Sequence, residues 1–184
     1  MKYLIIILFP ILAYTQDKFE ITKDGFTSAF IVTNKKADLT FTIAKEYIIK
    51  NCADIGNCII SEIENKYLKF QYRDRIKYSW KNMGTWSEEM IIVPEIEIDF
   101  KDNRARVKTL FISEFGVNYE FGLLGLTKNE VISNKGFNIT PAHFFKKNGK
   151  PRKWLSAQPY KEAIEKSINK TLSDMLKGSN DDDW

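Results

Sequence analysis

The stretch EIEIDFKDNRARVKTL, residues 95–110, leaves little freedom in how it folds. Apolar and charged residues alternate on both sides of Asp102-Asn103, a pair suited to a two-residue hairpin turn. Pairing across that turn sets Phe100 opposite Ala105, Ile98 opposite Val107 and Ile96 opposite Thr109. The other face sets Asp99 opposite Arg106 and Glu97 opposite Lys108. A slip of one residue would mix the two faces, so burial and charge specify the same register. The chain must contain an antiparallel hairpin with one dry face and one wet face.

A second hairpin is expected upstream. Asn65-Lys66 separates CIISEIE from YLKFQYR, and a two-residue turn there sets Ile63 opposite Leu68, Ser61 opposite Phe70 and Ile59 opposite Tyr72, with Glu62 opposite Lys69. From Tyr67 to Trp80, parity places Leu68, Phe70, Tyr72, Ile76, Tyr78 and Trp80 on one side, broken by Asp74. Tyr67, Lys69, Gln71, Arg73, Arg75 and Lys77 fall on the other side. A base-stacking platform needs its aromatics and cations on the same exposed face. Here they are separated, and a net charge of +4 is a mild excess. No nucleic-acid partner is expected.

Two helices complete the pattern. Phe26 to Val32 reads as a strand, and Thr33-Asn34 as a cap before a helix with Leu39, Ile43 and Tyr47 on one face beside Ala44 and Ile48. Ser156 caps a last helix with Pro159 in its first turn; Ile164, Ile168, Leu172 and Leu176 form its apolar side, and Gly178 stops it. Between the hairpins and that helix, residues 115–153 carry five glycines and read as a long irregular excursion with room for short strands. The order β-α-β-β-β-β-α implies an α+β fold, an antiparallel sheet with two helices packed on one face.

The ends of the chain set a compartment. A basic start, the apolar run LIIILFPILA and the small residues Ala13 and Thr15 have the layout of a signal peptide over residues 1–15, with a mature chain from Gln16. The run is far shorter than the roughly 20 apolar residues a span needs. A periplasmic or secreted protein follows, with one domain over 16–178, an acidic tail over 179–184 and no stable membrane span. Cys52 and Cys58, spaced C-x5-C, then have two readings: a short-loop disulfide, or a pair of small buried hydrophobes. No metal site is expected, since the single histidine, His143, lies far from both in sequence.

The helix segment DLTFTIAKEYIIKN, the hairpin after it and EIDFKDNRARVKTLFI resemble a family of uncharacterised secreted proteins of Bacteroidetes-type bacteria. That family is a domain of unknown function with a TBP-like (TATA-binding-protein-like) fold. The resemblance implies that fold over roughly Phe26 to Ile112 plus the last helix, and it implies no activity, cofactor or site residue. Similarity of fold does not imply DNA binding.

Chemistry is sparse. There is no GxSxG, HExxH or Walker loop around His143, and the carboxylates Glu97 and Asp99 face cross-strand cations. The expected role is a non-catalytic interaction or ligand-binding module for a protein or small ligand of the cell envelope, without a cofactor. The competing reading is a small hydrolase or lyase working through residues 115–153. Continuing the second hairpin's pairing sets Glu95 opposite Leu110 and Val93 opposite Ile112, so the wet face turns apolar away from its turn. That patch and the loop tryptophans Trp80 and Trp86 are the candidate binding residues, against the alternative that Phe115, Val117, Phe121, Leu123 and Leu124 fold back over the apolar end.

Overall fold

The computed structural model describes residues 17–52, 58–81, 85–121, 128–132 and 135–177. The signal segment 1–15, the loop 54–57, Gly84 and the tail 179–184 lie outside the described residues. In chain order the elements are β1 (Ile21–Thr22), β2 (Gly25–Phe26), β3 (Ala29–Val32), α1 (Ala37–Asn51), β4 (Ile59–Ile63) and β5 (Tyr67–Gln71). They continue with β6 (Asp74–Lys81), β7 (Thr85–Lys101), β8 (Arg104–Phe121), β9 (Lys128–Ile132), β10 (Phe137–Ile139), a short 3-10 turn Pro141–His143, and α2 (Ala157–Lys177).

The long strands β7 and β8 form the centre of an eight-stranded sheet in which every pairing among the described residues is antiparallel. β7 pairs with β6 along its first half and with β5 along its second, and β4 forms the edge beyond β5. β8 pairs successively with β3, β10 and β9. Both helices pack on one face, over Leu68, Phe70, Ile76, Ile92, Ile96, Ile98, Phe100, Ala105, Val107 and Ile112, all buried. Parity along Tyr67 to Trp80 survives the break at Tyr72-Arg73, because Ile76 and Tyr78 still face inward.

The hairpin at Asp102-Asn103 has the expected register, with Phe100 opposite Ala105, Ile98 opposite Val107 and Asp99 opposite Arg106. The helices supply its dry face with a partner, and Ile98 and Ala105 are completely buried. Asn103 takes a left-handed φ of 63°, which asparagine tolerates in such turns. The turn also caps α1: Asp102 Oδ1 accepts the Ala37 N–H at 2.9 Å, a role expected of Thr33-Asn34.

Two local expectations are corrected. First, β4 and β5 join through a three-residue connection, so Ile63 faces Tyr67, Glu62 faces Leu68 and Ser61 faces Lys69. A bulge then brings Ile59 opposite Phe70. Asn65 at φ 59° turns the chain, and the Lys66 N–H closes it on Ile63 O at 3.0 Å. β4 is an edge strand with no buried face to fix its register, which leaves Ile63 59% exposed. Second, α1 is rotated: Phe41, Ala44 and Ile48 are buried while Leu39 points to solvent. Within residues 115–153 the excursion holds the end of β8 and the short strands β9 and β10. The apolar stripe of α2 packs as read, with Ile164, Ile168, Leu172 and Leu176 fully buried.

The N-terminal segment is tied across α2. Asn169 accepts the Phe19 N–H at 2.8 Å and donates to Phe19 O at 2.9 Å, while Glu165 accepts the Ile21 N–H at 2.6 Å.

Candidate functional site

The candidate residues Val93, Leu110 and Ile112 do not form one patch. Between Glu95 and Ile96 the register shifts: Ile96 faces Thr109, but Glu95 faces Phe111, and Leu110 is the extra residue. A β-bulge of this kind flips the sense of the following residues. Ile112 therefore points into the core opposite Pro94 and is completely buried, contrary to the expected surface role. Val93 faces Ser113, and Phe111 takes the outward position assigned to Leu110.

The shift builds a groove on the sheet face that neither helix covers. Val93, Phe111 and Phe115 give it apolar walls, and Gln71, Arg73, Ser113 and Asn51 supply polar groups, around a volume of 580 Å³. Cys52 and Cys58 border it, joined as a disulfide with Cα atoms 6.2 Å apart. The bridge pins the end of α1 to the start of the edge strand. Ser113 donates to Asn138 Oδ1 on β10 at 3.2 Å, which fixes its side chain. Sequence reasoning missed Phe111 because a bulge has no signature in composition, and it placed Arg73 on the wet face without a link to the apolar residues.

Beyond the groove, the same face is charge-paired in its middle rows. Lys69 and Glu95 form an ion pair at 2.7 Å, and the Tyr67 hydroxyl donates to Glu97 at 2.9 Å. The hydrogen bond to Glu95 raises the Lys69 ammonium above its ordinary value. Glu62 pairs with Lys45 of α1 at 2.8 Å instead of the expected Lys69, a consequence of the one-residue shift in β4.

Trp80 and Trp86 face each other across β6 and β7, next to residues 82–84. They sit on the helix side of the sheet, beyond the start of α2. Trp80 is half-buried and stacks on Tyr78 with ring centres 5.7 Å apart, whereas Trp86 is 59% exposed. Tyr78 lies 4.7 Å from the ring of Tyr160 on α2. Tyr78 donates to Glu88 and Tyr160 to Glu114. Burial first, then the two glutamates, pushes both tyrosine hydroxyls far above the ordinary tyrosine range.

His143 closes the 3-10 turn. Its Nδ1 accepts the Thr140 N–H at 2.9 Å, and its other hydrogen-bond contacts among the described residues are also with Thr140. No group of three or more metal-ligating side chains occurs among the described residues. No helix among them is long and apolar enough to cross a membrane.

No protein-family model matches the chain, and no curated protein matches it by sequence. Two solved structures share its architecture. A DUF4468 family protein from Bacteroides ovatus superimposes with a TM-score of 0.54 at 11% identity, over 85% of this chain and 87% of that one. A TBP-like protein from Parabacteroides distasonis gives 0.52 at 12% identity, over 83% and 90%. At such identities the likeness concerns fold alone. With its large antiparallel sheet and two helices on one face, the chain has the TBP-like α+β fold of these Bacteroidetes proteins of unknown function.

Proposed function

We propose that this is an exported, non-catalytic binding module whose ligand is a small amphipathic molecule with an acidic head group. The observation that carries the reading is the groove on the open sheet face. Its 580 Å³ falls within the roughly 300–1,000 Å³ of small-molecule sites. Val93, Phe111 and Phe115 offer an apolar chain a place to leave water, and Phe111 is 40% exposed. Arg73, which makes no ion pair among the described residues, supplies a guanidinium for a carboxylate at the rim. The Cys52–Cys58 disulfide accords with an oxidising compartment such as the periplasm or the cell exterior.

Dodecanoate is a suitable probe, with dodecyltrimethylammonium as the control of opposite charge. Isothermal titration should give saturable one-to-one binding of dodecanoate, weakened about tenfold or more by Phe111→Asp and by Arg73→Ala. Absence of saturable binding, or equal binding of the cationic chain, would refute the proposal. Cell fractionation tests export separately: the protein should appear in the periplasm or medium.

A further inference from the structure

The opposite end of the same sheet face holds a second cavity, of 530 Å³, with a different chemistry. Its lining includes Lys66 from the β4–β5 connection, Lys101 and Arg104 on either side of the β7–β8 turn, and Arg106 on β8. Asp99 is the one carboxylate among the described residues of that lining, so four cations face a single acid. None of the four makes an ion pair among the described residues. A few rungs away, Lys69 is compensated by Glu95. Charge pairing thus governs the middle of the face and stops at this cavity.

The cations also hang from an immobilised frame. Asn103 N–H donates to Lys35 O at 2.8 Å, Thr33 N–H donates to Asn103 O at 3.0 Å, and Phe100 N–H donates to Lys66 O at 2.8 Å. These bonds fix the backbone from which Lys66, Lys101 and Arg104 project. Arg106 is held against the ring of Phe30, its guanidinium carbon 5.8 Å from the ring centre. Phe30 remains 37% exposed and gives the cavity one flat apolar wall. Guanidinium groups present paired N–H donors that match the oxygens of a phosphate, and lysines add charge without directional demand. The cavity is larger than a bare phosphate requires, and the phenyl wall suits an organic substituent on the anion.

We infer that this cavity binds a phosphate monoester, with its anionic oxygens among Lys66, Lys101, Arg104 and Arg106 and its organic portion against Phe30. The site is separate from the groove beside the disulfide and does not depend on it. Two sources supply this chemistry, a soluble sugar phosphate and an anionic lipid headgroup. They are distinguished with glucose 6-phosphate in titration calorimetry and with phosphatidylcholine vesicles containing or lacking phosphatidic acid.

Saturable binding to either probe is expected, with plain phosphatidylcholine vesicles and glucose giving none. Arg106→Ala should weaken binding about tenfold and Arg104→Ala/Arg106→Ala about a hundredfold, since each removes charge-assisted hydrogen bonds to the phosphate. Lys147→Ala/Lys150→Ala removes the same charge from a distant exposed loop and should change affinity less than about twofold. These side chains are at the surface, so circular dichroism should show each variant folded. Binding to neither probe would overturn the proposal. So would an equal loss in the Lys147/Lys150 variant, which would reduce the effect to overall charge.

Discussion

Tyr160, in the first turns of α2, donates its hydroxyl to the Glu114 carboxylate on β8 and so fastens the start of the last helix to the sheet. Glu114 lies on the helix side because the bulge at Leu110 reverses the parity of β8. Removing the hydroxyl strands a half-buried carboxylate oxygen. Tyr160→Phe should lower unfolding free energy by about 1–2 kcal/mol. Urea denaturation would show this as an earlier midpoint with an unchanged slope.

The same contacts set a response to alkali. Burial and the carboxylates Glu88 and Glu114 raise the hydroxyls of Tyr78 and Tyr160 above 10.0, the usual tyrosine value. A group whose folded-state pKa is raised contributes stability that is complete below its unfolded value and is lost as pH climbs toward the folded value. Stability should therefore fall increasingly steeply above about pH 10. In Tyr78→Phe/Tyr160→Phe that decline should be shallower, read from melting temperatures at successive pH values. An identical slope in the variant would remove these tyrosines from the explanation.

Ile112 and Leu110 provide a direct test of the bulge. Ile112 has no exposed surface, and Leu110 is 39% exposed. Ile112→Ala should cost about 3 kcal/mol and Leu110→Ala less than about 1 kcal/mol. Chemical denaturation of both variants checks this, and equally small costs would restore the unshifted register, which turns both side chains outward.

Reduction of the Cys52–Cys58 bridge should destabilise the fold by about 2 kcal/mol, the closure entropy of a short loop. For a chain of this length the melting temperature should drop by about 5 °C. Scanning calorimetry with and without reductant measures it. Cys52→Ala/Cys58→Ala should reproduce the reduced value and be insensitive to reductant.

The two tryptophans opposite one another on β6 and β7 should behave differently. Trp86→Ala, at a position 59% exposed, should leave stability within about 0.5 kcal/mol. Trp80→Ala removes a ring stacked on Tyr78 and should cost about 1–2 kcal/mol. Equilibrium unfolding of the pair, followed by circular dichroism, decides between this difference and a common role.

How far the sequence discloses the structure depends on where a core exists to enforce it. Between Ile96 and Thr109, apolar pairing and acid–base pairing agree, and the register follows from the residues alone. α2 is equally legible, because Ile164, Ile168, Leu172 and Leu176 repeat at a spacing that only a helix satisfies. β4 is not, since Ile60 and Ile63 look like core residues but belong to an edge strand that buries neither. The largest loss is at Leu110. One extra residue there sends Ile112 inward and brings Phe111 outward, yet a bulge changes geometry without changing composition. The groove was therefore half visible, through Val93, while Phe111 and Arg73 had no local signal. The basic cavity was hidden differently: Arg106 looks compensated by Asp99 until Lys66, Lys101 and Arg104 are gathered around the pair.

The central pair β7–β8 also dictates the order in which this chain can fold. These strands are consecutive, join through two residues and share twelve paired positions, so their loop closes at the smallest entropic cost in the sheet. β3 pairs Val32 with Arg104 and Ala29 with Val107, and so has no partner until more than seventy further residues exist. During synthesis β3 and α1 emerge before the surface they need. The Asp102-Asn103 hairpin is then a template that arrives late and recruits earlier segments.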